Sequence, residues 1–105
     1  MELVKEWGNG EGCKLYENTK HVDERGYFEV VYNKDWLQRL GINLVQINQS
    51  FSIANGTLRG LHFQTQPNEQ GKLVRCVKGK LFDAAVDLRR DSPTYLEATS
   101  IVLSE

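Results

Sequence analysis

The sequence is poor in the residues that staple, coordinate or stiffen a chain. It holds two cysteines, two prolines, two histidines and a single methionine in 105 residues. Cys13 and Cys76 have neither a metal-type spacing nor the density of a disulfide framework, which fits reduced thiols in a cytoplasmic protein better than a secreted scaffold. An excess of either charge sign is lacking too: 13 basic and 14 acidic residues leave a formal charge of -1, so no chain-wide field draws it to nucleic acid or an anionic membrane. Arg89-Arg90, flanked by Asp87 and Asp91, reads as a solvated turn and not as a nucleic-acid contact. No apolar run approaches a spanning length, and Met1 to Gly12 is charged and Gly-rich with no signal-like apolar core. The expectation is one small, untargeted domain over residues 1–105, with any anion site built from local clusters.

What is present is short strands and turns. Cys13 to Asn18 reads as a strand, Val22 to Gly26 as a charged turn, and Tyr27 to Tyr32 as an aromatic and β-branched strand. Asn33 is placed to cap a short helix over Lys34 to Leu40, with Gly41 as its stop. From Asn43 the period is two: Val45, Ile47, Phe51 and Ile53 share one face, and Gln46, Asn48, Ser50 and Ser52 the other. That second face is polar yet uncharged, and is either solvent-exposed or the wall of a ligand site. Asn55-Gly56 is a turn, and Leu58 to Gln64 the next strand. Lys72 to Val77 and Lys80 to Leu88 read as a hairpin closed by Lys78-Gly79, and Tyr95 to Leu103 as a last strand after the break at Asp91-Ser92-Pro93. The pattern predicts an all-β antiparallel sandwich or barrel with one short helix.

Arg59-Gly60-Leu61-His62-Phe63-Gln64 and Gln70-Gly71-Lys72-Leu73-Val74-Arg75 put an imidazole and several cations on two strand-like segments across a polar loop. Imidazole is suited to moving protons near neutral pH, although a lone strand histidine is also a common satisfied residue. Arg59 and His62 have opposite parity on a regular strand, so an irregularity is expected at Gly60 if both face one cavity. Asp83 is a pocket carboxylate or the partner of an arginine such as Arg75.

Taken in order, Asp23-Glu24-Arg25-Gly26, Gln46 to Ser52, the two segments just quoted, and Asp83 to Arg89 followed by Ser92-Pro93-Thr94 resemble the dTDP-4-dehydrorhamnose 3,5-epimerase family from about residue 17 onward. The resemblance implies a dimeric jelly-roll barrel of the cupin type that uses no metal and no cofactor. The substrate it implies is a dTDP-4-keto-6-deoxyhexose, on the route to dTDP-rhamnose. A ketone at C4 acidifies the C3 and C5 hydrogens, so a base, an enolate stabiliser and an acid on the opposite face are required. His62 matches the family's base and Lys72 its enolate-stabilising cation. Arg25 and Arg59 match arginines that grip the diphosphate, for which a planar fork of donors is suited. Gln46 and Asn48 match positions at the thymidine end.

Departures accompany the matches. Val30 stands where the family places an acid, with Glu29 next to it; an aromatic of the family pattern is His21; and the loop from Asn48 to Arg59 is one residue longer. Family members continue past Leu103-Ser104-Glu105, and the further portion holds an acid tyrosine, which Tyr95 does not match, and an aspartate that orients the histidine. Unpaired strand edges are therefore expected, with either strand exchange in a homodimer or a C-terminal partner chain to cover them. Three other readings fit parts of the pattern. A non-catalytic cupin module would bind a dTDP-sugar or only dimerise. A metal-dependent cupin oxygenase needs more imidazoles than His21 and His62, with Gln64 where a second ring would stand. A sugar ketoisomerase also works through an enolate.

Overall fold

The computed structural model describes residues 1–8 and 11–105; Asn9 and Gly10, within the Gly-rich N-terminal stretch, lie outside the described residues. Among the described residues the regular structure is three separate two-stranded antiparallel ladders and one helix. β1 (Glu2–Glu6) pairs with β2 (Lys14–Glu17), with the register shifting between Leu3 and Lys5. β3 (Lys20–Asp23) pairs with β4 (Gly26–Glu29) through a tight turn at Glu24-Arg25. β5 (Lys80–Val86) pairs with β6 (Ala98–Ser104) in seven unbroken partners, from Lys80 opposite Ser104 to Val86 opposite Ala98.

α1 (Lys34–Arg39) forms where expected. The Asn33 side chain accepts from the backbone N–H of Asp35 and Trp36, which satisfies donors that a helix start leaves orphaned. Gly41 follows with φ 71°, a left-handed conformation that a Cβ would disfavour. Leu37 anchors the helix at 5 % exposure and Cys76 is 8 % exposed; among the described residues these are the buried apolar side chains.

That core is small for the length. The Cα radius of gyration is 15.4 Å, against about 13 Å for a packed domain of this size. Residues 42–79 carry the strand pattern but belong to no ladder among the described residues. Their apolar face is open: Val45 is 86 % and Ile53 92 % exposed, with Ile47, Phe51, Leu58, Leu61 and Phe63 also exposed. The expected strands over 43–53 and 58–64 therefore keep their periodicity but lack a neighbour.

The expected hairpin of Lys72 to Val77 with Lys80 to Leu88 is not formed; β5 pairs with β6 instead. The β5–β6 pairing continues past the two strands. Asp87 N–H donates to Glu97 O at 3.0 Å and Leu96 N–H to Asp87 O at 2.7 Å, which starts the β5–β6 register directly from the intervening loop. β1 carries no two-residue alternation, since Leu3 and Val4 are adjacent between Glu2 and Lys5-Glu6, so the residues alone do not mark it as a strand.

Candidate functional site

The polar wall and Arg59 come together around one turn. Gln46 Nε2 donates to Asn48 Oδ1 at 3.0 Å, as two residues on one side of an alternating segment can. The chain then reverses at Asn55-Gly56, where Thr57 Oγ1 donates to Ala54 O at 2.7 Å. Arg59 consequently reaches back: its Nε donates to Ser52 Oγ at 3.0 Å and its Nη2 to Phe51 O at 3.0 Å. A guanidinium with donors still unused thus lies beside the Ser52 hydroxyl of the uncharged face.

The irregularity expected at Gly60 is present as φ 109°, a conformation open to glycine and rarely to other residues. The His62 ring folds back over the bare Cα there: a Cβ at residue 60 would stand 3.7 Å from His62 Nδ1 and 3.4 Å from His62 N. His62 is exposed, and so is Lys72. Among the described residues neither side chain takes part in an ion pair. The imidazole and the ammonium are accessible to a ligand, and no hydrogen bond joins them to each other.

Arg25 and Glu29 sit elsewhere, on the β3–β4 hairpin. Arg25 is held by Asp23: its backbone N–H donates to Oδ1 at 2.8 Å, and Nε and Nη2 donate to Oδ2 at 3.2 and 2.5 Å. These bonds from the Arg25 side chain and backbone hold the Asp23 carboxyl below the usual range and raise the guanidinium in turn. Glu29 is occupied by protein groups. Arg75 Nη2 donates to its Oε1 and Asn18 Nδ2 to its Oε2, the latter at 3.0 Å, with Asn18 also donating to Val30 O at 2.8 Å. Arg75 therefore pairs with Glu29 and not with Asp83. Asp83 lies half-buried on β5 opposite Ile101 and joins no ion pair among the described residues.

The sequence reading missed a second polar cluster. Asp87 accepts from Arg89 backbone N–H and Nε on Oδ1, and from Arg89 Nη2, Ser92 Oγ and Thr94 Oγ1 on Oδ2, at 2.5–3.0 Å. Arg89 Nη1 reaches on to Glu11 O at 2.7 Å, tying the loop after β1 to the end of β5. A cavity of about 590 Å³ between them is lined by Trp7, Cys13, Asp87, Arg89, Thr94 and Glu97 among others, and contains none of the expected site residues. The Arg89 and Ser92 bonds push the Asp87 carboxyl far below its ordinary value. A depressed folded-state value means that the stabilisation is complete above the unfolded value of about 4 and is lost as pH falls below it toward the folded value. Amide protection of residues 87–97 should thus persist at pH 5 and decline only in stronger acid, whereas Asp87→Asn should lose it at pH 7; protection in D87N equal to that of the unaltered chain at pH 7 would contradict this.

The cysteines are both free, Cys13 exposed and Cys76 buried. No helix among the described residues is long and apolar enough to cross a membrane. No group of three or more His, Cys, Asp or Glu side chains that could hold a metal ion occurs among them.

Comparison with known proteins then covers nearly the whole chain. The sequence model of a family described as dTDP-4-dehydrorhamnose 3,5-epimerase matches residues 9–105. The dTDP-4-dehydrorhamnose 3,5-epimerase of Sinorhizobium fredii (strain NBRC 101917 / NGR234) is 50 % identical over 94 residues, 88 % of this chain and 48 % of that protein. The enzyme of the same name from Methanothermobacter thermautotrophicus is 46 % identical over 97 residues, 90 % of this chain and 51 % of its own. A crystal structure of dTDP-4-dehydrorhamnose 3,5-epimerase from Bacillus anthracis str. Ames, with TDP and PPi bound, superposes with a TM-score of 0.89 at 41 % identity, over 98 % of this chain and 59 % of that one. The corresponding structure from Elizabethkingia anophelis NUHP1 gives 0.83 at 42 % identity, over 99 % and 57 %. The chain spans about half the length of the curated relatives it matches.

Proposed function

The chain belongs to the dTDP-4-dehydrorhamnose 3,5-epimerase family, and from that premise we propose that it carries the proton-abstracting part of an epimerase site for a dTDP-linked 4-keto-6-deoxyhexose. In this reading His62 takes the proton from C3 or C5 next to the ketone, and Lys72 neutralises the enolate oxygen left behind. Arg59 and Arg25 hold the diphosphate, Gln46 and Asn48 meet the thymidine, and Glu29 and Asp83 line or brace the site. Reprotonation on the opposite face is the task of an acid from the portion of the relatives beyond the matched residues.

The observation that carries this reading is the placement of Arg59. Its guanidinium bonds Ser52 of the uncharged face and the Phe51 carbonyl, three residues before an accessible imidazole. A base-contacting wall, an anion grip and a proton acceptor in that order suit a nucleotide-linked keto sugar. The chemistry in this reading needs neither metal nor cofactor, takes place in the cytoplasm, and serves rhamnose supply. The open edges of residues 42–79 favour assembly, as a strand-exchanged homodimer or with a C-terminal partner chain, because unpaired backbone and apolar side chains are both left to be covered.

Titration with dTDP tests the binding half of the proposal. Saturable binding that weakens at least about tenfold in Arg59→Ala is expected, since a charge-assisted bidentate contact to phosphate contributes more than a neutral one. Binding unaffected by that change, or no binding at all, would contradict it. A second reading, a module that binds the nucleotide sugar without turning it over, shares this outcome and is separated from the first by proton exchange.

A further inference from the structure

The segment that carries Lys72 is held to the rest of the chain by one polar tie. Over residues 65–79, Asn68 N–H donates to Thr65 O and Cys76 Sγ to Lys78 O, both within the segment. The ion pair from Arg75 to Glu29 is the one hydrogen bond or salt bridge that leaves it among the described residues. Its acceptor is built for the purpose. The Glu29 side chain is only 7 % exposed, although the hairpin around it is exposed throughout. Its second oxygen is filled by Asn18, whose amide is itself fixed on Val30 O. A carboxylate shielded from water and hydrogen-bonded on both oxygens is a stiff anchor, and removing its cation would leave an uncompensated charge.

We propose that Arg75 is a positioning residue for Lys72, and that its pair with the Asn18-braced Glu29 fixes where the ammonium stands relative to the β3–β4 hairpin. On an alternating segment Arg75 and Lys72, three apart, point to opposite sides. The arginine thus holds the back of the segment while the lysine is left to the site. This rests on the reading of Lys72 as the enolate-stabilising cation, and it gives Glu29 a role one step removed from substrate.

Backbone NMR relaxation and solvent-deuterium kinetics on the full chain test it, using Arg75→Met and the double change Glu29→Gln with Arg75→Met. The double variant keeps the Asn18 contact and leaves no bare carboxylate, so misfolding from a stranded charge is controlled. In both, the order parameter at Lys72 should fall by about 0.2 or more below its value in the unaltered chain while β5 and β6 keep theirs. The turnover number should drop by roughly 10- to 100-fold, as misplacement of a reacting group does, with KM held within about twofold. Arg75→Lys, which restores the charge, should recover most of that loss. Unchanged order at Lys72 would overturn the proposal, as would a loss shared equally by KM and turnover. An unaltered chain that exchanges no protons would sink the reading of the site, and the relaxation data would still decide the tether.

Discussion

Replacing His62 by asparagine is expected to lower the rate of deuterium incorporation at C3 and C5 of dTDP-4-keto-6-deoxyglucose by about 10³-fold, within the range a positioned general base supplies. Asparagine keeps a polar planar group of similar reach but has no basic nitrogen. Because His62 is exposed and makes no hydrogen bond to another side chain among the described residues, the loss should come without a change in fold, checked by an unaltered amide spectrum outside residues 58–64. Affinity for dTDP should stay the same, since the anion grip belongs to Arg59 and the wall. A rate in the variant within threefold of the unaltered chain would show that another group takes the proton, and the assignment of the base would fall.

The second large effect concerns cooperativity. A chain whose described residues bury two apolar side chains has little to set against a backbone ordering cost of about 1–2 kcal/mol per residue. Covering Val45, Ile47, Phe51, Ile53 and Phe63 would add on the order of 10 kcal/mol together, at roughly 1.5–3 kcal/mol for each large apolar side chain. That is comparable to the whole margin of an ordinary domain, about 5–15 kcal/mol. The isolated chain at low concentration should therefore melt without a sigmoidal transition and bind a hydrophobic dye. Adding the separately produced remainder of the Sinorhizobium fredii relative should produce a single cooperative transition and expel the dye. A sharp two-state melt of the dilute, monomeric chain alone would show that residues 42–79 find their partners within it.

How much of this was legible depends on how local each feature is. α1 and its Asn33 cap follow from neighbours within four residues, and the structure has them as read. Gly60 as an irregularity followed from parity and was found. The alternation over 43–53 was legible too, and the Gln46–Asn48 contact reflects it. A strand, however, is a relation between two segments, and periodicity says which face is apolar without saying what lies beside it. For that reason the pattern pairs residues 72–77 with β5 through the Lys78-Gly79 turn, whereas the structure pairs β5 with β6. The Arg75–Glu29 pair spans 46 positions and left no local signature. Asn18, which makes Glu29 an anchor, looked like an ordinary strand end.

The most direct test of the central claim is to incubate the unaltered chain with dTDP-4-keto-6-deoxyglucose in deuterium oxide and count deuterons on the recovered sugar. The account predicts label at C3, C5 or both, accumulating in proportion to chain concentration and suppressed by excess dTDP. Recovery of unlabelled sugar from a chain that nonetheless binds dTDP would contradict it and leave a binding module in its place.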